Sequence, residues 1–120
     1  MIDKSERDKS ISPVELKRRI GSGESLVILD VREDFERESS RLKTSGDILD
    51  LHIPMNEIPA LFDEIIEKAE DRPIAVYCHH GVRSMVVARY LTARGAKVVL
   101  NLTGGIDAWS IHVDPSVPRY

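Results

Sequence analysis

What this chain has little of narrows it first. It contains one cysteine, Cys78, so no disulfide can close within it and no multi-cysteine zinc or iron–sulfur site can be assembled by it. A single unpaired thiol fits a reducing compartment. Aromatic residues make up 5%, and 17 Lys and Arg stand against 20 Asp and Glu, for a formal net charge of -3. There is no basic excess or aromatic platform for phosphate backbones, stacked bases or an acidic membrane surface, so neither a nucleic-acid nor a membrane partner is expected. The apolar runs fall far short of the roughly 20 residues that span a bilayer. Met1 to Ser10 is charged and polar, without an apolar core of signal-peptide length. Cytoplasm is the expected address.

What is present reads as one soluble domain: 120 residues, 42% hydrophobic and 31% charged, enough for a single core. Residues 1–10 read as a flexible leader and 11–120 as the domain. Ser12-Pro13-Val14-Glu15 has the signature of a helix start, with an N-cap serine, a proline at the first position and a glutamate at the third. Ile11 and Leu16 can close a hydrophobic staple over it, and the helix runs to about Ile20, stopped by Gly21 and Gly23. Leu26-Val27-Ile28-Leu29 is a continuous apolar run ending in Asp30-Val31-Arg32. It shows no polar alternation, as in a parallel strand covered on both faces.

Residues 33–47 predict a helical turn near Asp34–Arg37 and then a loop, with the acids of 33–38 on a solvated surface. A short strand is expected over Ile48 to Ile53. Pro54 to about Asp71 predicts one helix, because Ile58, Leu61, Phe62, Ile65, Ile66 and Ala69 form an apolar stripe at helical period; the stripe belongs to the core. Pro73 bounds a strand from Ile74 to Cys78. A helix over Ser84–Arg94 follows, closed by Gly95, then a strand over Lys97–Leu102, a Thr103-Gly104-Gly105 turn and a short helix carrying Trp109, either core or a lid over the last strand. Strands alternating with helices predict an α/β fold, an open, mostly parallel twisted sheet flanked by helices on both faces. Ligands of such sheets bind beyond the carboxyl ends of the strands, and Cys78 falls at one.

The stretch Cys78-His79-His80-Gly81-Val82-Arg83-Ser84 carries the chemistry. A free cysteine titrates near 8.5 and reacts as its thiolate. Three features favour the thiolate here. The loop feeds a helix N-terminus; Gly81 permits a tight turn that aims successive N–H groups inward; and Arg83 is a fixed cation that can return over the loop mouth. Such a thiolate suits nucleophilic attack on a sulfur or phosphorus oxyanion. A lone cysteine at a strand end is most often a small buried hydrophobe; the Gly, Arg and Ser that follow it before a helix favour the reactive reading. Cys78, His79 and His80 adjoin one another too tightly to converge on one tetrahedral ion, so no metal is expected. His79 and His80 either tune the thiol and contact substrate, or point to solvent while only their N–H groups act; the second is the simpler reading. Asp30 and Arg32, at another strand's end, either support the cysteine loop by hydrogen bonds or form an ion pair that closes the strand.

This loop resembles the active-site loop of the rhodanese-like sulfurtransferases, and other pieces agree in order and spacing. Leu29-Asp30-Val31-Arg32-Glu33 resembles the family's Asp-Val-Arg strand end. His52-Ile53-Pro54-Met55-Asn56-Glu57-Ile58 resembles the lead into its middle helix, and Leu102-Thr103-Gly104-Gly105-Ile106-Asp107-Ala108-Trp109 its closing Gly-Gly motif. Together these cover about residues 11–120. The resemblance implies that Cys78 takes a sulfane sulfur from a donor, thiosulfate or a protein or small-molecule persulfide, and passes it from a persulfide to a thiophilic acceptor. It implies that the N–H groups of residues 79–83 cradle the outer sulfur and that Arg83 holds a small anionic donor; Ser84, with Asp30 and Arg32, is a candidate support of the loop. A sulfur-acceptor protein is an expected partner, and no cofactor is required. The chain departs from the family at Ser45-Gly46-Asp47-Ile48-Leu49-Asp50-Leu51-His52, where Asp47 replaces a histidine and a second glycine is missing. Two other functions compete. One is a non-catalytic protein-interaction module on this fold. The other is a phosphatase, but related phosphatases place one residue more between cysteine and arginine than His79 to Val82 supply, and the shorter loop favours a single sulfur over a phosphate group.

Overall fold

The computed structural model describes residues 9–120. Five strands form one sheet: β1 (Ser10–Ile11), β2 (Leu26–Asp30), β3 (Ile48–His52), β4 (Ile74–Tyr77) and β5 (Val99–Leu102). Their order is β1-β5-β4-β2-β3, and every neighbouring pair is parallel. Five α-helices connect them: α1 (Pro13–Gly21), α2 (Asp34–Ser39), α3 (Phe62–Ala69), α4 (Val82–Ala93) and α5 (Gly105–His112).

The continuous apolar run of β2 is buried at every position because both faces of the sheet are covered, as the pattern required. Val27 and Leu29, with Val76 of β4, join Ile58, Phe62, Ile65, Val87 and Leu91 on one face. Leu26 and Ile28, with Ala75 and Tyr77, join Leu16, Ile20, Ile106 and Trp109 on the other. So α3 and α4 cover one side and α1 and α5 the opposite side. The start of α1 matches its signature: the Glu15 N–H donates to Ser12 Oγ at 3.1 Å, and the staple partners Ile11 and Leu16 are both buried.

Several boundaries differ from the sequence pattern, each for a local reason. The leader expected over residues 1–10 lies, for residues 1–8, outside the described residues, whereas Ser10 pairs with Asn101 as the first residue of β1. The single helix expected from Pro54 to Asp71 is broken. A 3₁₀ turn covers Met55–Glu57, and α3 begins only at Phe62. Pro59 explains the break, since inside a helix it lacks an N–H and its ring clashes with the carbonyl four residues back. The apolar stripe still reaches the core, Ile58 and Ile65 being almost fully buried. Helix α4 starts at Val82, two residues earlier than predicted, and β5 starts at Val99, two later. The atypical 45–52 segment pairs regularly, Leu26 to Asp30 lying opposite Ile48 to His52, with the Leu26 N–H donating to the Asp47 carbonyl at 3.2 Å.

Ile65 sits fully buried in the centre of α3, and truncating it removes apolar contacts on one whole face. Ile65→Ala is expected to cost about 2–5 kcal/mol, seen as a lower urea midpoint with an unchanged slope. A midpoint equal to the wild type's would show that this face does not hold the domain together.

Candidate active site

Cys78 directly follows β4, and α4 begins four residues later. The carbonyls of Cys78 and His79 turn away from the loop and accept from the first N–H groups of α5, Ile106 at 2.9 Å and Asp107 at 3.1 Å. Two N–H groups further along the loop face the sulfur. Cys78 Sγ accepts from the Gly81 N–H at 3.1 Å and from the Ser84 N–H at 3.4 Å. Gly81 holds φ at +100°, in the left-handed region that side chains disfavour. Gly105 is the second glycine the loop needs, because a Cβ there would collide with the Cys78 and His79 carbonyl oxygens.

Ser84 Oγ lies 3.3 Å from Sγ and donates a short hydrogen bond to Asn101 Oδ1. Asn101 in turn donates through Nδ2 to the Gly81 carbonyl at 3.2 Å, so a side chain from β5 ties both ends of the loop. Asn101 was hidden in a strand that otherwise reads as apolar. Its signal was available: a lone amide in a strand covered on both faces must find partners there.

Arg83 does not stand alone over the mouth. Its two terminal nitrogens donate to the two carboxylate oxygens of Glu36 at 2.6 and 2.9 Å. Glu36 was expected on a solvated surface with the other acids of 33–38; instead it is 5% exposed. The reason is this fork-to-fork pair, completed by the Glu33 N–H at 3.1 Å and the Tyr120 hydroxyl at 2.8 Å. The Arg83 hydrogen bond, against the opposing effect of burial, holds the Glu36 carboxyl at about 2, with Tyr120 and the backbone adding to it. The same pairing raises the guanidinium of Arg83.

Tyr120, in the irregular end of the chain, was also missed. Its ring stacks on His79 with centroids 3.8 Å apart, and burial is the main cause that pushes its hydroxyl up to about 12. His80 stacks on the other side of His79 at 3.9 Å. The two histidines thus differ. His80 is exposed, its Nδ1 3.9 Å from Asp107 Oδ2. His79 is sandwiched between rings, and burial first, then the neighbouring His80, lowers its imidazole below the ordinary value. Val82 is exposed at the start of α4.

Asp30 and Arg32 form a fully buried bidentate pair, Nε to Oδ1 at 2.9 Å and Nη2 to Oδ2 at 2.8 Å. Arg32 also donates to the Ser40 carbonyl at 2.6 Å and to the Tyr120 hydroxyl at 2.9 Å. The pair therefore closes the strand end and reaches the loop at second hand, through Tyr120 to His79 and through Tyr120 and Glu36 to Arg83. The Tyr77 hydroxyl and Arg37 bring two more donors to Asp30, at 3.1 and 3.3 Å. Among the described residues no three of His, Cys, Asp and Glu converge as ligands of a metal ion, and no helix is long and apolar enough to cross a membrane.

A parallel α/β sheet with a cysteine loop between β4 and α4, clasped by a Gly-Gly helix start, defines a class of domain. Comparison with known proteins gives the family. The sequence model of the rhodanese-like domain matches residues 12–112, and the chain belongs to that family. It is similar to a thiosulfate sulfurtransferase, GlpE, of Coxiella burnetii, 36% identical over 88 residues that cover 72% of this chain and 74% of that one. It is also similar to the putative sulfurtransferase YtwF of Bacillus subtilis, 36% identical over 107 residues, 89% of this chain and 95% of that one. Among solved structures, a rhodanese-like domain protein from Staphylococcus aureus superposes with a TM-score of 0.72 at 30% identity, covering 93% and 98% of the two chains.

Two outcomes test this geometry. Gly105→Ala is expected to push the Cys78 and His79 carbonyls off α5, lowering stability by about 1–3 kcal/mol and changing the rate at which a thiol reagent labels Cys78; a variant with unchanged stability and labelling would refute the clasp. The second concerns pH. Glu36 drops from an ordinary 4.5 to about 2 on folding, so its contribution to stability is full above about 4.5 and is lost as pH falls through about 2. The stability difference between wild type and Glu36→Gln, measured by urea unfolding, should therefore be larger at about pH 6 than at about pH 3. A difference independent of pH would show that the carboxylate gains nothing from its donors.

Proposed function

We propose that this chain is a sulfurtransferase that carries sulfane sulfur as a persulfide on Cys78. The observation that carries the proposal is the pair of backbone N–H groups, from Gly81 and Ser84, directed at Sγ beyond the carboxyl end of β4. Fixed donors of this kind stabilise charge on sulfur without reorganising. Family membership and relatives named sulfurtransferases support the same reading.

The Cys78 thiolate attacks the outer sulfur of the donor, the donor's sulfur–sulfur or sulfur–sulfonate bond breaks, and its electron pair leaves with the remainder. An acceptor thiol or other thiophile then attacks the outer sulfur and regenerates Cys78. The backbone of His79, His80, Gly81 and Val82 shapes the cradle, and Arg83 attracts an anionic donor such as thiosulfate or a persulfide. Ser84 supports the loop through Sγ and Asn101. A sulfur-acceptor protein and a cytoplasmic, reducing setting fit the single unpaired cysteine. Cys78 is 1% exposed, which shields a persulfide from solvent and requires neighbouring side chains to shift as donor enters.

Incubation with thiosulfate should add the mass of one sulfur to Cys78, and cyanide should remove it as thiocyanate. Cys78→Ser should acquire no sulfur and transfer none; retained transfer by this variant would sink the proposal. Arg83→Ala should lower kcat/KM for anionic donors by about 10- to 100-fold, on the scale of a charge-assisted contact.

A further inference from the structure

Glu36 is the group at this site that no motif announces, and it sits on the residue that should meet the donor. Its carboxylate is saturated. Oε1 accepts from Arg83 and from the Glu33 N–H, and Oε2 accepts from Arg83 and from the Tyr120 hydroxyl. Tyr120 is itself anchored by Arg32 at 2.9 Å and by its stack on His79. The Glu36 carboxylate is thus fixed in position, whereas the Arg83 side chain is one-third exposed and stands one residue before Ser84, whose N–H touches Sγ. An incoming anion meets an arginine whose charge is already matched by a carboxylate that cannot swing away.

We infer that Glu36 sets the donor's charge: by occupying Arg83 it makes the site favour singly charged sulfane donors over doubly charged ones. The inference rests on the sulfur-transfer reading above. A monoanion can share Arg83 with Glu36, whereas a dianion brings a second negative charge against the fixed carboxylate, and between charges a few ångströms apart in a partly solvated site one charge changes binding by about tenfold.

Two donors of similar shape separate the cases. Thiosulfate, a dianion, reacts with the Cys78 thiolate to give the persulfide anion and sulfite. Methanethiosulfonate, a monoanion, reacts in the same way to give the persulfide anion and methanesulfinate. In each the new bond is Cys78 Sγ to sulfane sulfur, the bond broken joins that sulfur to the sulfonyl sulfur, and the electron pair leaves with the oxyanion. Charge balances in both.

The readout is the ratio of kcat/KM for thiosulfate to that for methanethiosulfonate, so that differences in intrinsic reactivity cancel between variants. Glu36→Gln keeps the shape and removes the charge, its single amide oxygen retaining the donors of one carboxylate oxygen only, and it should raise this ratio about tenfold. Glu36→Asp, which keeps the charge, should leave the ratio near the wild-type value. A ratio that Glu36→Gln does not raise overturns the inference. In the wild type alone, the ratio should rise as salt is increased from about 10 mM to about 300 mM, because repulsion of the dianion is screened. A ratio that falls with salt would mean that an unopposed cation attracts the donor, and it overturns the inference even if Glu36→Gln does not fold. Sulfur found on Cys78 from methanethiosulfonate upholds the sulfur-transfer reading whichever way the ratio falls. Failure of both donors to load Cys78 overturns both.

Discussion

The site depends on two hydrogen bonds that do not touch the sulfur. The carbonyls of Cys78 and His79 accept from the Ile106 and Asp107 N–H groups at the start of α5. A peptide unit that gives its carbonyl to one side presents the adjoining N–H groups to the other. By holding the Cys78 and His79 carbonyls, α5 fixes the start of the loop, which then turns at Gly81 so that the Gly81 and Ser84 N–H groups meet Sγ. This is why the Gly-Gly pair of residues 104–105 and the cysteine loop belong together although they lie far apart in sequence. The backbones must approach closer than any Cβ permits, and the helix start supplies donors that have no partner within their own helix.

A second constraint runs beside the loop as a chain of alternating charges and dipoles. Asp30 binds Arg32, Arg32 binds the Tyr120 hydroxyl, that hydroxyl binds Glu36, and Glu36 binds Arg83. Burying Asp30 and Arg32 completely costs several kcal/mol per ion, and their mutual attraction offsets this only if the remaining donors and acceptors are also satisfied. Here they are: Ser40 and Glu36 carbonyls cover the guanidinium, while Tyr77 and Arg37 cover the carboxylate. The network contributes little net stability on this account. Its effect is positional, since each member has one place to be, and the last member beside the thiol inherits that order.

The legible parts of the molecule were those fixed by local rules. The buried run of β2, the serine-proline start of α1 and the place of Cys78 between a strand and a helix are each written in neighbouring residues. Family resemblance then joined motifs that composition alone could not join. The parts that were not legible depend on a partner distant in sequence. Glu36 stands in a run of acids on a short helix, and nothing near it shows that Arg83 will bury it. Tyr120 lies in a tail without periodicity, yet it stacks on His79. Pro59 is the opposite case, a local signal outweighed by a strong apolar stripe; four residues of the stripe are buried and Leu61 and Ile66 pack against the core half-buried, but the stripe is not helical throughout.

The Ser84 hydroxyl shows how such distant partners reach the chemistry. It has one proton, and Asn101 Oδ1 takes it, an orientation fixed because the amide's nitrogen is committed to the Gly81 carbonyl. Ser84 Oγ therefore turns a lone pair toward Cys78, and at 3.3 Å it can accept from the thiol S–H. Once sulfur loses its proton that contact no longer has a donor, unless the hydroxyl leaves Asn101. The anionic sulfur keeps the Gly81 and Ser84 N–H groups, which can donate to it in either state. The Ser84 hydroxyl, oriented by the β5 side chain, thus suits a protonated sulfur and the backbone of the loop suits an ionised one, so the two forms divide between partners that do not compete.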